Sequence, residues 1–196
     1  GVASGDPLPD GVVLWTRLSR NPFAPGGGMA PRPVRVDWEV AADESMTRIV
    51  RRGTVHATPE WGHSVHVDVR GLAPAADYFY RFRALGDISA IGRTRTAPAP
   101  FSRVDTLTVA VASCQNWADG YYHAYADLAA HAPDMVLHLG DYIYEKPIPA
   151  RGGARPDATL PLSATREAVD LDDYRERYAL YKSDPDLQLA HAMAPF

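Results

Sequence analysis

Three side chains with oxygen or sulfur donors stand at the ends of two apolar runs. Cys114, the only cysteine in the chain, follows Leu107–Ala112 (LTVAVA), and Asp141 and Tyr144 follow Met135–Leu139 (MVLHL). Asp141 and Tyr144 are three residues apart, so a turn or a single helical turn brings both oxygens to the same side. A carboxylate can bridge two cations, a phenolate favours a hard trivalent ion such as Fe(III), and a thiolate prefers a transition metal to magnesium. Together the set suggests iron with a harder neighbour. The same residues also admit a structural reading, in which Gly140-Asp141 is a turn, Tyr144 packs and Cys114 is a small buried hydrophobe. Residue types alone leave both readings open.

The elements that would have to position these donors are legible around them. Each apolar run is continuous, as expected of a strand buried on both faces of a parallel sheet. Between them, Ala118–His131 carries Tyr122, Tyr125, Leu128 and Ala129 at helical spacing and stops before Pro133. The result is a βαβ unit with a right-handed crossover. Ligands in such sheets sit outside the carboxyl ends of the strands, so neighbouring strands would make Cys114 and Asp141 converge on one rim.

Beyond this unit, 147–163 is rich in Pro, Gly and Arg and reads as a long loop able to lie over the rim. Two helices follow. The first is capped by Asp170 or Asp172 and carries Tyr174, Tyr178 and Tyr181 as a packing stripe. The second begins at Ser183-Asp184-Pro185 and runs through His191. Only two clear strands follow residue 101, fewer than a layered α/β domain needs. The expectation is therefore an incomplete domain in which Tyr142, Ile143 and the aromatic faces of both tail helices lack partners.

The first half of the chain has a different period. Val34, Val36, Trp38 and Val40 alternate with Arg35, Asp37 and Glu39, and Val65, Val67 and Val69 alternate with His66, Asp68 and Arg70. Further strands are predicted over 12–18, 49–56, 78–85 and 88–96, separated by Pro, Gly and Asp signals. Six or so short strands indicate an antiparallel sandwich. Within it, Leu72-Ala73-Pro74-Ala75-Ala76-Asp77-Tyr78 resembles the L-x-P-x-x-x-Y segment of fibronectin type III domains, which implies a corner where the tyrosine hydroxyl bonds to nearby backbone. The stiff link Ala97-Pro98-Ala99-Pro100-Phe101 places the boundary. The predicted organisation is a sandwich over 1–97, a linker over 98–103 and an α/β portion over 104–196.

Composition narrows the functional classes. The chain has 196 residues, 46% hydrophobic and 22% charged, the balance of a packed globular protein. Its 20 Lys and Arg residues are scattered and the net charge is −4, which is no footprint for nucleic acid or a membrane surface. No apolar run reaches the length of about 18 residues that spanning a bilayer needs. Gly1 falls inside a motif, so the start is expected to be a processed or trimmed end and carries no compartment signal.

Longer blocks extend the reading. Gly140-Asp141-x-x-Tyr144 matches the G-D-x-x-Y block of purple acid phosphatases and calcineurin-like metallophosphoesterases. Ser113-Cys114-Gln115 followed by Gly140–Glu145 (GDYIYE) resembles the PhoD-like alkaline phosphatase and phosphodiesterase family in particular. Gly1–Leu18 resembles the opening of that family's N-terminal sandwich domain, and Tyr174–Phe196 the helical segment before its next metal motif. The resemblance implies an N-terminal all-β sandwich, fibronectin type III or immunoglobulin-like, followed by the first part of an α/β metallophosphoesterase domain. It also implies a site of Fe(III) and Ca2+ that hydrolyses phosphate mono- and diesters at alkaline pH in a protein that is secreted, periplasmic or cell-wall associated. By position, Cys114 and Tyr144 would ligate iron and Asp141 would bridge iron and calcium.

The family's remaining ligands, an Asn and His or Asp residues on later strands, have no match before Phe196, and none of the histidines replaces them. His138, three residues before Asp141, is expected to be a core or supporting residue. The chain alone is therefore expected to bind metal weakly and to be inactive. Two alternatives stand beside this: a phospholipase D-like phosphodiesterase, and a non-catalytic sandwich module that binds a partner through an exposed aromatic, for which Trp61 is the candidate.

Overall fold

The alternating segments form strands wherever a buried partner face exists for them. In the computed structural model, which describes residues 1–149, 153–158 and 160–196, β1 (Val2–Leu8) and β2 (Gly11–Arg17) make a hairpin. A third strand of that sheet, β5 (Ser64–Arg70), pairs antiparallel with β2. In the second sheet, β3 (Val34–Ala41) lies between β4 (Ile49–Ala57) and β6 (Asp77–Ala84). Two short strands, β7 (Asp87–Ile88) and β8 (Gly92–Arg95), follow one another along the far side of β6. Leu14, Val36, Val40 and Tyr80 are wholly buried between the sheets. Trp38 crosses the ladder onto Gly53, where a Cβ would come within 2.6 Å of the indole, so only glycine fits beneath the ring.

Two details differ from the sequence reading. The predicted strand over 88–96 is split, because Ser89 turns both its N–H and its hydroxyl onto the backbone of Phe82 and interrupts the ladder. β1 was not predicted as a strand: its polar stretch Ser4-Gly5-Asp6-Pro7 hides the alternation, and its register with β2 shifts between Gly5 and Leu8 where Asp6 has φ 47°. The fibronectin-type corner is present, with the Ala73 N–H donating to the Tyr78 hydroxyl at 2.8 Å.

In the second half, β9 (Val109–Ala112) and β10 (Met135–His138) pair in parallel, Val109 opposite Met135 and Ala112 opposite His138. Helix α1 (His123–Ala130) forms the crossover. It is shorter than the predicted 118–131, since Trp117–Asp119 forms a separate 3-10 turn capped by Asn116 and ended by Gly120 at φ 150°. Asp170 caps α2 (Leu171–Tyr181) through the Asp173 N–H, and Asp184 caps α3 (Pro185–Met193) through the N–H groups of Asp186 and Leu187.

The burial differs from expectation in both directions. The tail helices do have partners: Leu180, Tyr181, Leu187 and Ala190 are buried with Trp117, Tyr122, Tyr125 and Ile148. The strands, by contrast, are covered on one face only. Val136 is buried, whereas Val109, Val111 and Leu137, aligned on the opposite face, are exposed together with Leu139. A continuous apolar run thus signals burial on both faces only where a second layer is supplied. Of the predicted loop over 147–163, residues 150–152 and 159 lie outside the described residues.

The two halves touch directly. The Phe196 N–H donates to the Ser4 carbonyl at 2.8 Å and Arg93 donates to the Met193 carbonyl at 3.2 Å.

Candidate functional site

The parallel ladder does not stop where the strands end. The Leu139 N–H donates to the Ala112 carbonyl at 2.9 Å, the Cys114 N–H to the Gly140 carbonyl at 3.1 Å, and the Gln115 N–H to the Asp141 carbonyl at 3.2 Å. These bonds carry the pairing into the two loops and set Cys114 beside Asp141. Both residues then turn out of the sheet with φ 54°, a left-handed conformation that costs a non-glycine residue on the order of 1 kcal/mol or more. Gly140, at φ 118°, makes the turn before Asp141 possible.

The three predicted donors meet at one atom. Asp141 Oδ2 accepts from the Tyr144 hydroxyl at 3.0 Å and from the Cys114 thiol at 3.5 Å. The Tyr144 phenol is held well above its ordinary range, first by loss of solvent and then by donation to Asp141 and the proximity of Asp141 and Cys114. Two protons are therefore directed at a single carboxylate oxygen, an arrangement in which a cation can take the place of both. The donors fit a mixed thiolate, carboxylate and phenolate site. Among the described residues there is no cluster of three or more His, Cys, Asp and Glu able to hold a metal ion.

Supporting residues surround the loop. Arg177, almost wholly buried, donates to the carbonyls of Tyr144 at 3.0 Å, Lys146 at 2.5 Å and Arg166 at 3.0 Å. Gln115 donates to the Tyr142 carbonyl at 2.9 Å while its own carbonyl accepts from Tyr125. Neither was anticipated in a positioning role. Gln115 stood next to Cys114 in a recognised block, but in YRERY Arg177 reads as a surface charge. His138 accepts from the Gly140 N–H through Nδ1 at 3.4 Å and so braces the turn, the supporting place expected of it. Burial lowers its pKa, against the raising effect of Asp141.

Behind the donors, Tyr142 stacks on Tyr178 with ring centroids 5.5 Å apart and donates to His191 Nε2 at 2.8 Å. Burial, then Lys182 and His138, holds His191 well below its ordinary pKa, which suits the neutral ring as acceptor. A recess of about 540 Å³ opens beside Cys114 and Tyr144, walled by Asn116, Asp119, Lys146 and Ile148. A larger cavity, about 790 Å³, lies elsewhere, between the sandwich and α2–α3. Trp61 is 75% exposed, as the sequence suggested, and stands at the border of that second cavity. No helix among the described residues is long and apolar enough to cross a membrane.

Comparison with known proteins agrees with this arrangement over its whole length. Residues 1–98 match the model of the PhoD-like phosphatase N-terminal domain, and residues 109–196 match that of PhoD-like phosphatase. Alkaline phosphatase D of Bacillus subtilis (strain 168) is 48% identical over 200 residues, covering 100% of this chain and 33% of the relative. A solved structure of PhoD superposes with a TM-score of 0.89 at 47% identity, covering 100% of this chain and 37% of that one. The chain thus spans about a third of the length of the curated relative it matches. With both family models matched in order along residues 1–98 and 109–196, the chain belongs to the PhoD-like phosphatase family.

Proposed function

We propose that this chain contributes the sandwich and the first part of a metallophosphoesterase domain to a metal-dependent hydrolase of phosphate mono- and diesters, exported from the cell, with Fe(III) and Ca2+ as cofactors. The observation that carries the reading is the convergence of the Cys114 thiol and the Tyr144 hydroxyl on Asp141 Oδ2. Cys114 and Tyr144 would hold the iron and Asp141 would reach both cations. When bound, such a pair supplies positive charge to the phosphate oxygens and lowers the pKa of an attacking water.

What this chain's own residues do is hold the donors. The ladder bonds at Cys114 and Gln115 fix the separation of the two loops, and Arg177 anchors the Tyr144 backbone from behind. Three donors are fewer than a closed site needs, so the 196-residue chain alone binds metal weakly and hydrolyses phosphate esters poorly or not at all.

The test is titration of the purified chain with Fe(III), followed by visible absorption and elemental analysis. A phenolate-to-iron charge-transfer band that disappears in Tyr144→Phe and weakens in Asp141→Asn supports the assignment. A band of equal strength in Tyr144→Phe refutes it. Robust metal-dependent hydrolysis by the pure chain would overturn the expectation of inactivity while leaving the ligand assignment to the spectrum.

A further inference from the structure

The larger cavity is chemically unlike the rest of the molecule. The chain as a whole carries a net charge of −4, yet three of the side chains lining this cavity are cations, Arg17, Arg175 and Lys182, and no carboxylate among the described residues lines it. At about 790 Å³ it is within the range of small-molecule sites, and it is concave because β2 of the sandwich forms one wall and α2 and α3 the other.

Lys182 is its focal group. The ammonium sits 4.6 Å from the centre of the Trp15 ring and 5.3 Å from that of Tyr142, held by aromatic faces and by no ion pair among the described residues. Arg17, also on the lining, spends its guanidinium on the carbonyls of Gly62 at 2.9 Å and Arg175 at 3.3 Å, without a carboxylate partner among the described residues. Among the described residues Arg175 is the only one of the three with an acidic partner, Asp172 at 3.3 Å. The other titratable groups lining the cavity around Lys182 are the amino group of Gly1, His66 from β5, Tyr142, Tyr174 and Tyr178 from α2, and His191 from α3, none of which supplies a negative charge at neutral pH. Burial brings the Lys182 amine down to about 8, the signature of a cation held away from water without a counter-charge. The chain has only two lysines, Lys146 and Lys182, so the placement of this one is not an accident of a lysine-rich surface.

We propose that this interdomain cleft binds a small organic anion bearing an aromatic ring, its acid group paired with Lys182 and its ring lodged among Trp15, Tyr174 and Tyr178. A phosphonate, phosphate or carboxylate supplies the missing counter-charge, and the aromatic walls exclude water from the pair. The site is separate from the donor cluster: Tyr142 belongs to its wall, whereas Cys114, Asp141 and Tyr144 do not line it.

The experiment uses the full chain labelled with ¹³C-lysine, which gives two side-chain resonances, in the presence of a chelator so that the donor cluster is metal-free. Phenylphosphonate is expected to move the Lys182 resonance and leave that of Lys146 in place, saturating at a concentration about tenfold or more below that required of inorganic phosphate. Benzyl alcohol, which has the ring without the charge, is expected to move neither. By tryptophan fluorescence, Lys182→Met weakens phenylphosphonate binding at least about tenfold, and Asp141→Asn leaves it unchanged. A stationary Lys182 resonance overturns the proposal. So does inorganic phosphate binding as tightly as phenylphosphonate, or binding that is lost in Asp141→Asn. The resonance in the unaltered chain decides the matter independently of Lys182→Met.

Discussion

Arg155 and Asp184 form an ion pair at 2.7 Å in which neither side chain is more than 4% exposed. The guanidinium also lies over Trp117 at 4.5 Å and Tyr122 at 4.6 Å, and Asp184 is at the same time the cap of α3. The pair therefore ties Arg155 and its described neighbours to the helix that meets the sandwich. Arg155→Ala leaves an uncompensated buried carboxylate and is expected to lower stability by about 3–5 kcal/mol. Urea unfolding is the measurement, and a loss below about 1 kcal/mol would show that Asp184 finds another partner.

Lys182 gives a pH signature independent of any ligand. Its folded-state pKa of about 8 lies below the ordinary lysine value, so the unfolded chain binds more protons between those two values. Stability from this group accordingly rises as pH increases from about 8 to about 10.5 and is flat below that window. In Lys182→Met the rise is expected to vanish, and the variant is expected to be more stable than the parent at pH 7 by about 3 kcal/mol. Denaturation midpoints across this range, parent against variant, check the sign. A parallel slope in the two chains would count against it.

The uncovered sheet face predicts a hydrophobic surface on the isolated chain. Val111 and Leu137 are 61% and 43% exposed and directly opposite each other in the ladder. Anilinonaphthalene sulfonate is expected to bind this patch, and Val111→Thr with Leu137→Thr to reduce the signal without loss of stability, since neither side chain leaves a filled core. A signal unchanged by the pair would place the apolar surface elsewhere.

Tyr78 is a corner whose value can be read singly. Tyr78→Phe removes the acceptor of the Ala73 N–H and is expected to cost about 1–2 kcal/mol by thermal or urea unfolding. No change would mean that water replaces the hydroxyl.

That corner was legible because a short local pattern both specifies and satisfies it. The same holds for the caps Asp170 and Asp184, the alternation of Val65, Val67 and Val69, and the parallel pairing that brings Cys114 to Asp141. What was not legible depends on partners distant in sequence. Nothing in YRERY reveals that Arg177 is buried and holds the Tyr144 carbonyl, because its acceptors are backbone atoms more than ten residues away. The covering of the tail helices was likewise hidden: Tyr142 looked partnerless until α2 and α3 folded back over it. For β9 and β10 the error ran the other way, since apolar composition states what a strand tolerates and not what is present to cover it.

The last three residues have a mechanical consequence. Pro195 accepts from β10 on one side and Phe196 donates to β1 on the other, so the halves are stitched together at both ends of the second one and not only through the proline link. That link carries Phe101, which is fully exposed. A single protease cut there would leave the two pieces associated as a nicked particle, migrating as one body under native conditions and separating only in denaturant.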